Sequence, residues 1–455
     1  MPQQRSLHHW KDGGKALEGA NITELVAHLV LQLSIIMVAA KLGGELFERW
    51  LKQPSVLGEL LAGVVIGPFA LGGMSLPVIG TVFGRVAAPG EVSVIPVSTE
   101  LWAVAQIGAV ILLFFAGLET DFNLFFRYSG PAFVTATGGV ILPFVFGDLS
   151  TVAFGLASGP LDPVALFVGA IMTATSVGIT ARVLGDIRKL DTPEGVTILA
   201  GAVIDDVLGI IVLAIVVSLG ASGDVSMGNL AAVGGKAMGF WLGLMAVGIL
   251  LSGWISRFLL SFRSAGAALT LAIAIAFLSA ALAESFGLAM IIGAYSIGLA
   301  LSNTEVAEIL REPMESVFHA FVPIFFVVMG MLVDFHAMIP VMAFGVVISF
   351  LAIVGKIVGC GLPALGVGFN RWGAARIGVG MMPRGEVALI VAGVGLSRGV
   401  IQPDVFGVSI MMTFVTTVLA PMVLVPVFQS GVAGTRKAQA TIQSSKVEGE
   451  RVRQV

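Results

Sequence analysis

The chain has 455 residues, of which 57% are hydrophobic and only 12% are charged. A soluble protein carries about 25% charged residues, so this composition excludes an ordinary soluble domain and indicates a chain embedded in a membrane. The net charge of −3 without a basic patch argues against nucleic acid as a partner, and the single cysteine excludes an intrachain disulfide or a thiolate metal cluster.

Apolar runs of about 20 residues divide the chain into thirteen predicted membrane spans. A polar extension, residues 1–22, precedes them and has no signal-peptide pattern. A polar tail, residues 430–455, follows them. The predicted spans are 23–44, 55–72, 100–118, 129–149, 161–184, 195–220, 230–256, 265–284, 286–302, 317–335, 338–362, 372–397 and 404–429. The sequence therefore predicts an all-α integral membrane protein with about 13 transmembrane helices.

Basic residues in the loops and at the ends of these spans are distributed unevenly. Loops after odd-numbered spans carry eleven of them, including Arg182 and Arg376, whereas loops after even-numbered spans carry only Arg85 and Arg398. Because basic loops stay on the cytoplasmic side, the asymmetry predicts that the N-terminus is outside and the C-terminus inside. We therefore expect a multi-pass protein of the inner (plasma) membrane.

A short motif occurs twice and indicates an internal repeat. Span three ends with Gly-x-x-x-Asp-Phe at residues 117–122, and span ten ends with the same pattern at residues 330–335. Seven spans separate the two copies, and an odd number means that the copies face opposite ways. The sequence thus predicts two inverted repeats, spans 1–6 and 8–13, an arrangement typical of secondary transporters with a site near the membrane midplane.

Spans five and twelve, which are equivalent under that repeat, both contain a predicted interruption. Span five holds three hydroxyl residues and a glycine within Thr173–Gly178, and span twelve contains Met-Met-Pro-Arg-Gly-Glu at residues 381–386. Pro383 removes a backbone donor, and non-helical backbone at membrane depth is tolerated only where protein or a watery cavity surrounds it. The alternative is a proline kink with hydroxyls bonded back to their own helix, and the charged Arg384 and Glu386 argue against it.

Span six carries two adjacent acids, Asp205 and Asp206, near its middle. One carboxylate at that depth costs roughly 2.5–3.5 kcal/mol on insertion-based scales. Two of them are hard to explain unless they bind and release something. Protons and small cations are the natural candidates.

Lys356 lies deep in span eleven and should meet a carboxylate, because an unpaired buried ammonium is expensive. Neighbouring positions on a helix differ by about 100°, so Asp205 and Asp206 point in different directions. One acid can pair with Lys356 while the other faces a cavity. Arg384 is interpreted as structural, the role of Glu386 stays open, and Glu59 and Glu119 are interpreted as solvated acids near the membrane edge.

Four motifs together resemble one family of transporters. They are Ala-Thr-Ser-Val-Gly-Ile-Thr at 174–180, Ala-Val-Ile-Asp-Asp-Val-Leu-Gly at 202–209, Gly-Lys-Ile-Val-Gly at 355–359 and Gly-Val-Gly-Met-Met-Pro-Arg-Gly-Glu-Val at 378–387. This combination resembles the bacterial sodium/proton antiporters of the monovalent cation:proton antiporter-2 family, NapA-type members above all. The resemblance covers about residues 25–430.

The resemblance implies a transmembrane antiporter domain over residues 23–429 that contains two crossed, discontinuous helices. It implies a core (100–220 and 317–429) that moves elevator-fashion against dimerisation spans (23–72 and 230–302), and a homodimer in the lipid bilayer. No cofactor is implied.

By motif, Asp206 matches the carboxylate that binds the transported Na⁺ and the proton, and Asp205 matches the partner of Lys356. Thr175 and Ser176 are positioned to donate oxygens, while Pro383, Arg384 and Glu386 support the discontinuous helix. The Asp-Asp pair with a lysine looks like the electrogenic type, with two protons per cation.

The expected function is exchange of Na⁺ or Li⁺ for H⁺, without nucleotide or nucleic acid. One alternative is a K⁺/H⁺ antiporter or a potassium efflux system of the same fold, although such efflux systems usually carry a C-terminal nucleotide-binding domain that is not expected here. Another is a membrane receptor or scaffold, which saturating flux at fixed stoichiometry would exclude. No nucleophile–base or metal-ligand pattern occurs, so we do not expect an enzyme.

Overall fold

The structure is a computed structural model that describes residues 22–76, 80–84, 95–222, 227–262, 264 and 266–438. Residues 1–21 of the predicted N-terminal extension and the tail beyond residue 438 lie outside the described residues. So do Arg85 and Arg263, two of the basic residues used to predict the orientation.

The described residues are almost entirely helical. The helices are α1 (Ile22–Leu46), α2 (Ser55–Ile66), α3 (Thr99–Glu119), α4 (Phe122–Ala153), α5 (Pro163–Thr173), α6 (Val177–Asp186), α7 (Pro193–Ser222), α8 (Met227–Leu260), α9 (Ala267–Ser285), α10 (Met290–Leu301), α11 (Glu305–Met331), α12 (Phe335–Met338), α13 (Met342–Gly366), α14 (Arg371–Gly380), α15 (Glu386–Ser397) and α16 (Pro403–Gln429). A π-helical turn, Phe47–Leu51, extends α1, and 3₁₀ turns occupy Leu71–Gly73 and Ile339–Val341.

One small β-hairpin interrupts the helices. Strands β1 (Ser75–Leu76) and β2 (Gly80–Thr81) pair antiparallel, with Ser75 opposite Thr81 and Leu76 opposite Gly80. Buried Gln32 of α1 donates a hydrogen bond of 2.7 Å to the carbonyl of Val82, directly after β2. The hairpin is therefore fastened to the first helix.

The prediction of an all-α membrane protein is confirmed. Eleven of the described helical segments are long and apolar enough to cross a membrane, and one of these, Pro163–Asp186, consists of the interrupted pair α5 and α6. The other two predicted spans, 286–302 and 372–397, coincide with the short helix α10 and with the half-helices α14 and α15. The total of thirteen spans stays a prediction.

The repeated Gly-x-x-x-Asp-Phe motif has the same structural role in both copies. Asp121 accepts a hydrogen bond of 2.8 Å from the Leu124 amide and caps α4, and Asp334 caps α12 by accepting one of 2.9 Å from the His336 amide. Gly117 and Gly330 lie where their helices touch backbone of a neighbouring helix, α10 and α2 respectively. Each motif thus ends one close-packed helix and starts the next element.

The packing of whole helices follows the same symmetry. In the first half α4 packs against α5 and α7, and in the second half α13 packs against α14 and α16. Helix α3 of the first half packs against α10 of the second half. In the equivalent contact, α11 of the second half packs against α2 of the first half. The inverted repeat predicted from the sequence is therefore present in the fold.

The helices form two groups according to their packing. The site group contains α4–α7 and α13–α16, the scaffold group contains α1–α3 and α9–α11, and α8 contacts both α7 and α10. This grouping differs from the sequence-based boundaries, which placed spans 100–118 and 317–335 in the core. Close approach at Gly117 and Gly330 joins those two spans, α3 and α11, to the scaffold group. Which helices move together stays a prediction.

Part of the contact between the groups is apolar, with Leu60 and Val64 of α2 close to Ile179 of α6. One buried ion pair crosses it. Arg182 of α6 places Nη2 3.4 Å from Glu59 Oε1 of α2, and both side chains are less than 5% exposed. Ser55 Oγ lies 3.2 Å from the same nitrogen, and the Phe318 ring centroid lies 4.8 Å from the guanidinium carbon. Among the described residues no other ion pair joins the two groups. The interpretations of Arg182 as a loop residue and Glu59 as a solvated acid were wrong.

We expect Arg182→Ala to lower the thermal unfolding midpoint of the detergent-purified protein, because it leaves the Glu59 carboxylate buried without its partner. Breaking a buried pair in this way costs about 3–5 kcal/mol. The double variant Arg182→Met/Glu59→Leu should recover part of the loss, because it removes the unpaired Glu59 carboxylate but still leaves Asp186, 3.3 Å from Arg182 Nε, without its partner. Arg49→Ala is the control, since the Arg49 side chain is 74% exposed. Equal midpoints for Arg182→Ala and Arg49→Ala would contradict the assignment.

Candidate ion-binding site at a crossing of interrupted helices

Two half-helices enter the site group from opposite ends, and each begins with a capping side chain. Asp162 accepts a hydrogen bond of 3.0 Å from the Val164 amide at the start of α5, and Asn370 accepts one of 2.9 Å from the Trp372 amide at the start of α14. Amide donors from Ser158 and Val164 also hold the pKa of the Asp162 carboxyl below its ordinary value. The repeat thus supplies equivalent starting points for α5 and α14.

The two helices stop in the interior and cross each other. Residues 174–176 separate α5 from α6, and residues 381–385 separate α14 from α15. The Ser176 amide donates a hydrogen bond of 2.8 Å to the Pro383 carbonyl. The Thr180 hydroxyl donates one of 2.7 Å to the Gly380 carbonyl of the other segment. These contacts exclude a simple proline kink and confirm the expected pair of crossed, discontinuous helices.

Arg384 fills the crossing. Its side chain is fully buried, and its guanidinium donates to the carbonyl of Ala174 at the end of α5 and, at 3.4 Å, to the carbonyl of Ala352 in α13. Thr416 and Thr417 of α16 hold its backbone, because the Arg384 amide donates to Thr416 Oγ1 and Thr417 Oγ1 donates to the Arg384 carbonyl. Arg384 therefore binds the Ala174 carbonyl, which the interruption after α5 leaves without a helical partner, and links it to α13.

Lys356 and Asp205 form a buried ion pair. Lys356 Nζ lies 2.7 Å from Asp205 Oδ1, and the two side chains are 0% and 1% exposed. Small residues bring α13 against α4 at this level: a Cβ atom on Gly139 would lie 3.6 Å from Lys356 Nζ, and it would also touch the sulfur of buried Cys360. The carboxylate expected for Lys356 is therefore Asp205 rather than Asp206.

Asp206 has no such partner. It is 5% exposed, and neither of its carboxyl oxygens has a hydrogen bond in the described structure. Asp205, Glu386 and Lys356 are the charged groups that act on it electrostatically. Glu386 Oε2 and Ser176 Oγ are also buried without a hydrogen-bond partner. Oxygens of this kind are the ligands that hard cations prefer.

The buried charges at the crossing do not balance. Three carboxylates, Asp205, Asp206 and Glu386, face two cationic side chains, Lys356 and Arg384, and all five are at least nine-tenths buried. With every group ionised the cluster carries one excess negative charge. Because an isolated buried charge is costly, the arrangement favours binding of a proton or a small cation at Asp206.

A cavity of about 570 Å³ lies between the site and scaffold groups at one end of the bundle. Its walls come from α3, α6 and α11 and the segment after α6. Its ionisable lining residues are Glu119, Asp186, Arg188, Asp191, Arg311, Glu315 and His319. It extends along α6 as far as Ala181, about one and a half turns from the break at Ser176. Asp206 is not among the lining residues.

The structure brings the eight predicted site residues together around this crossing: Asp205, Asp206, Thr175, Ser176, Lys356, Pro383, Arg384 and Glu386. Sequence analysis did not identify Thr180, Thr416 or Thr417, which fasten the interrupted segments. The adjacent threonines in the middle of an apolar span were the available signal.

Comparisons with known proteins found matches over most of the chain. Residues 34–430 match the family described as sodium/hydrogen exchanger, transmembrane. The chain is 37% identical over 442 residues to the high-affinity Na⁺/H⁺ antiporter NhaS3 of Synechocystis sp., covering 91% of this chain and 92% of that protein. It is 36% identical over 399 residues to the Na⁺/H⁺-K⁺ antiporter GerN of Bacillus cereus, covering 86% and 94%.

The fold is also similar to a solved structure of the sodium proton antiporter MjNhaP1 from Methanocaldococcus jannaschii, determined at pH 8. The TM-score is 0.62 at 18% sequence identity, with 88% of this chain and 96% of that chain covered. A match over most of the chain, together with relatives above 30% identity, establishes the relationship. The chain belongs to the transmembrane sodium/hydrogen exchanger family.

Proposed function

We propose that the protein is a secondary transporter that exchanges Na⁺, or Li⁺, for H⁺, with Asp206 as the principal ion-binding residue. The observation that carries the proposal is the buried Asp206 carboxylate without a hydrogen-bond partner, beside a neutralised Lys356–Asp205 pair. The names of NhaS3 and GerN as Na⁺/H⁺ antiporters support it.

Exchange follows if protons and cations compete for the same oxygens. Protonation and cation binding each compensate the negative charge of the Asp206 carboxylate, so each makes the site easier to carry through the apolar contact between the helix groups. Thr175 and Ser176 are the proposed additional oxygen ligands for Na⁺. Asp206 and its charged neighbours form one coupled set, so the apparent proton affinity of the site belongs to the whole cluster.

We further propose that transport is electrogenic, with two protons for each cation. A cation between the aspartates competes with the Lys356 ammonium for Asp205, whose Oδ1 lies 2.7 Å from Nζ. Loss of that interaction favours release of a proton from Lys356, in addition to the proton displaced from Asp206. Lys356 would then supply the second proton of each cycle.

Alternating access is proposed to arise from movement of the site group against the scaffold group, in the elevator manner. The apolar character of their contact permits sliding, since few hydrogen bonds need to break. In a plasma membrane with the N-terminus outside and the C-terminus inside, the charged cavity opens to the cytoplasm. A homodimer formed through the scaffold group completes the proposed arrangement.

Potassium is the second candidate substrate. GerN is named for K⁺ as well as Na⁺, and the identity of the cation depends on cavity size and ligand number. A K⁺/H⁺ antiporter or potassium efflux system would use the same buried acids. Flux into proteoliposomes with Na⁺, Li⁺ and K⁺ as alternative cations distinguishes these possibilities.

We expect Asp206→Ala to abolish pH-driven Na⁺ exchange while the protein still folds, because the variant removes both unpartnered oxygens. Proteoliposomes with an internal pH dye measure the exchange. Glu45→Gln is the control, since the Glu45 side chain is 67% exposed and far from the crossing in sequence. Exchange by Asp206→Ala at the wild-type rate would exclude Asp206 as the principal site.

We expect Lys356→Gln to reduce the dependence of exchange on membrane potential, because the variant removes one titratable group from the cycle. The measurement is Na⁺-driven current on a supported membrane, or exchange rate at imposed potassium diffusion potentials. Unchanged electrogenicity in an active Lys356→Gln variant would remove Lys356 from the proton count.

A further inference from the structure

A second buried ion pair lies outside the ion site and joins the two helices that build it. Glu194 is in the first turn of α7, which carries Asp205 and Asp206, and Arg376 is in the middle of α14, which ends at the crossing. Arg376 Nη1 lies 2.5 Å from Glu194 Oε1, and both residues are about 5% exposed. The sequence-based interpretation of Arg376 as a loop residue was wrong.

The other donors of Arg376 bind the chain that follows the last helix. Nε donates to the Val427 carbonyl at 3.2 Å, and Nη2 donates to Ser430 Oγ at 3.0 Å and to the Val432 carbonyl at 2.7 Å. The guanidinium carbon also lies 5.3 Å from the centroid of the Phe428 ring. One buried guanidinium thus connects α7, α14 and the end of α16.

Residues 430–436, here named the C-terminal strap, continue from this point to the loop between α13 and α14. The backbone amide of Asn370 donates to the Gly434 carbonyl at 2.9 Å, and its side-chain Nδ2 donates to the Ala433 carbonyl at 2.6 Å. The Arg436 amide donates to the Gly368 carbonyl at 3.1 Å. The family match ends at residue 430, so nearly all of the strap lies beyond it.

A single short helix, α14, connects the strap to the ion site. Asn370, which the strap holds, also caps α14, a helix of ten residues, or about 15 Å. At the opposite end of that helix, the carbonyls of Gly380 and Met381 accept the hydroxyls of Thr180 and Thr175. A displacement of α14 along its axis therefore moves acceptors beside the proposed cation ligands.

We propose that Arg376 and Glu194 are positioning residues for cation binding, and that the C-terminal strap completes their cluster. Together they fix the axial position of α14 against α7, and thereby the distance between the crossing and the Asp205–Asp206 pair. The inference rests on the proposed Na⁺/H⁺ exchange. Neither residue touches the transported ion.

Gly434→Ala in the full chain is the most direct test. A Cβ atom there would overlap Glu194 Oε1 and lie 3.0 Å from Gly373 Cα, so the strap must move away from the ion pair. Gly366→Ala is the matched control, because it makes the same substitution at the same end of the bundle with no atom within 4 Å.

We expect Gly434→Ala to raise the apparent KM for Na⁺ about threefold or more while the maximal rate changes less than about twofold, which is the signature of weakened ground-state binding. Gly366→Ala should keep the wild-type KM. Ser430→Ala removes one acceptor of Arg376 with little change in shape, and we expect a smaller rise of about twofold. If Gly434→Ala does not fold, the KM of Ser430→Ala tests the proposal.

The outcomes separate the two proposals. Wild-type KM values in Ser430→Ala and in any folded Gly434→Ala, even with lowered thermal midpoints, would show that the strap is only a structural fastening and would overturn the inference. Absence of Na⁺-dependent exchange in the wild-type protein would instead overturn the proposed function.

Discussion

Two helices that stop inside a membrane leave backbone amides and carbonyls that water cannot reach, and this constraint determines the centre of the protein. The structure meets it with one buried arginine, Arg384, and with hydrogen bonds exchanged between the two interruptions. Without such partners each unsatisfied group would cost several kcal/mol in hydrocarbon, on the order of the cost of a buried polar group. The site residues lie around the crossing that these hydrogen bonds hold together.

The side chains at the crossing also determine the net charge that an ion meets there. Arg384 brings a positive charge to the negative end of α5, and Lys356 neutralises one aspartate. Had Asp206 also found a basic partner, the centre would be neutral and would have no reason to bind a cation. The side chains that stabilise the interrupted helices therefore also determine whether the site attracts a cation.

Sequence patterns predict the spans well because length and apolarity are properties of a single helix. The repeat and the pairing of Lys356 with an aspartate could also be predicted, since intramembrane charges are few and each needs a partner. Arg182 and Arg376 were misplaced because a basic residue near the end of an apolar run has the same sequence pattern in a loop as in a buried helix end. Their partners, Glu59 and Glu194, lie more than one hundred residues away in the chain. Only packing shows which helices meet.

Cys360 has a practical consequence for observing the protein at work. It is the only thiol in 455 residues, and it lies buried on α13 where that helix packs against α4, both of which belong to the site group. Spin labels or fluorophores attached to two newly introduced surface cysteines, one on each helix group, would react without competition from a native thiol. Distance changes between the groups can therefore be followed spectroscopically in a protein whose interior has not been altered.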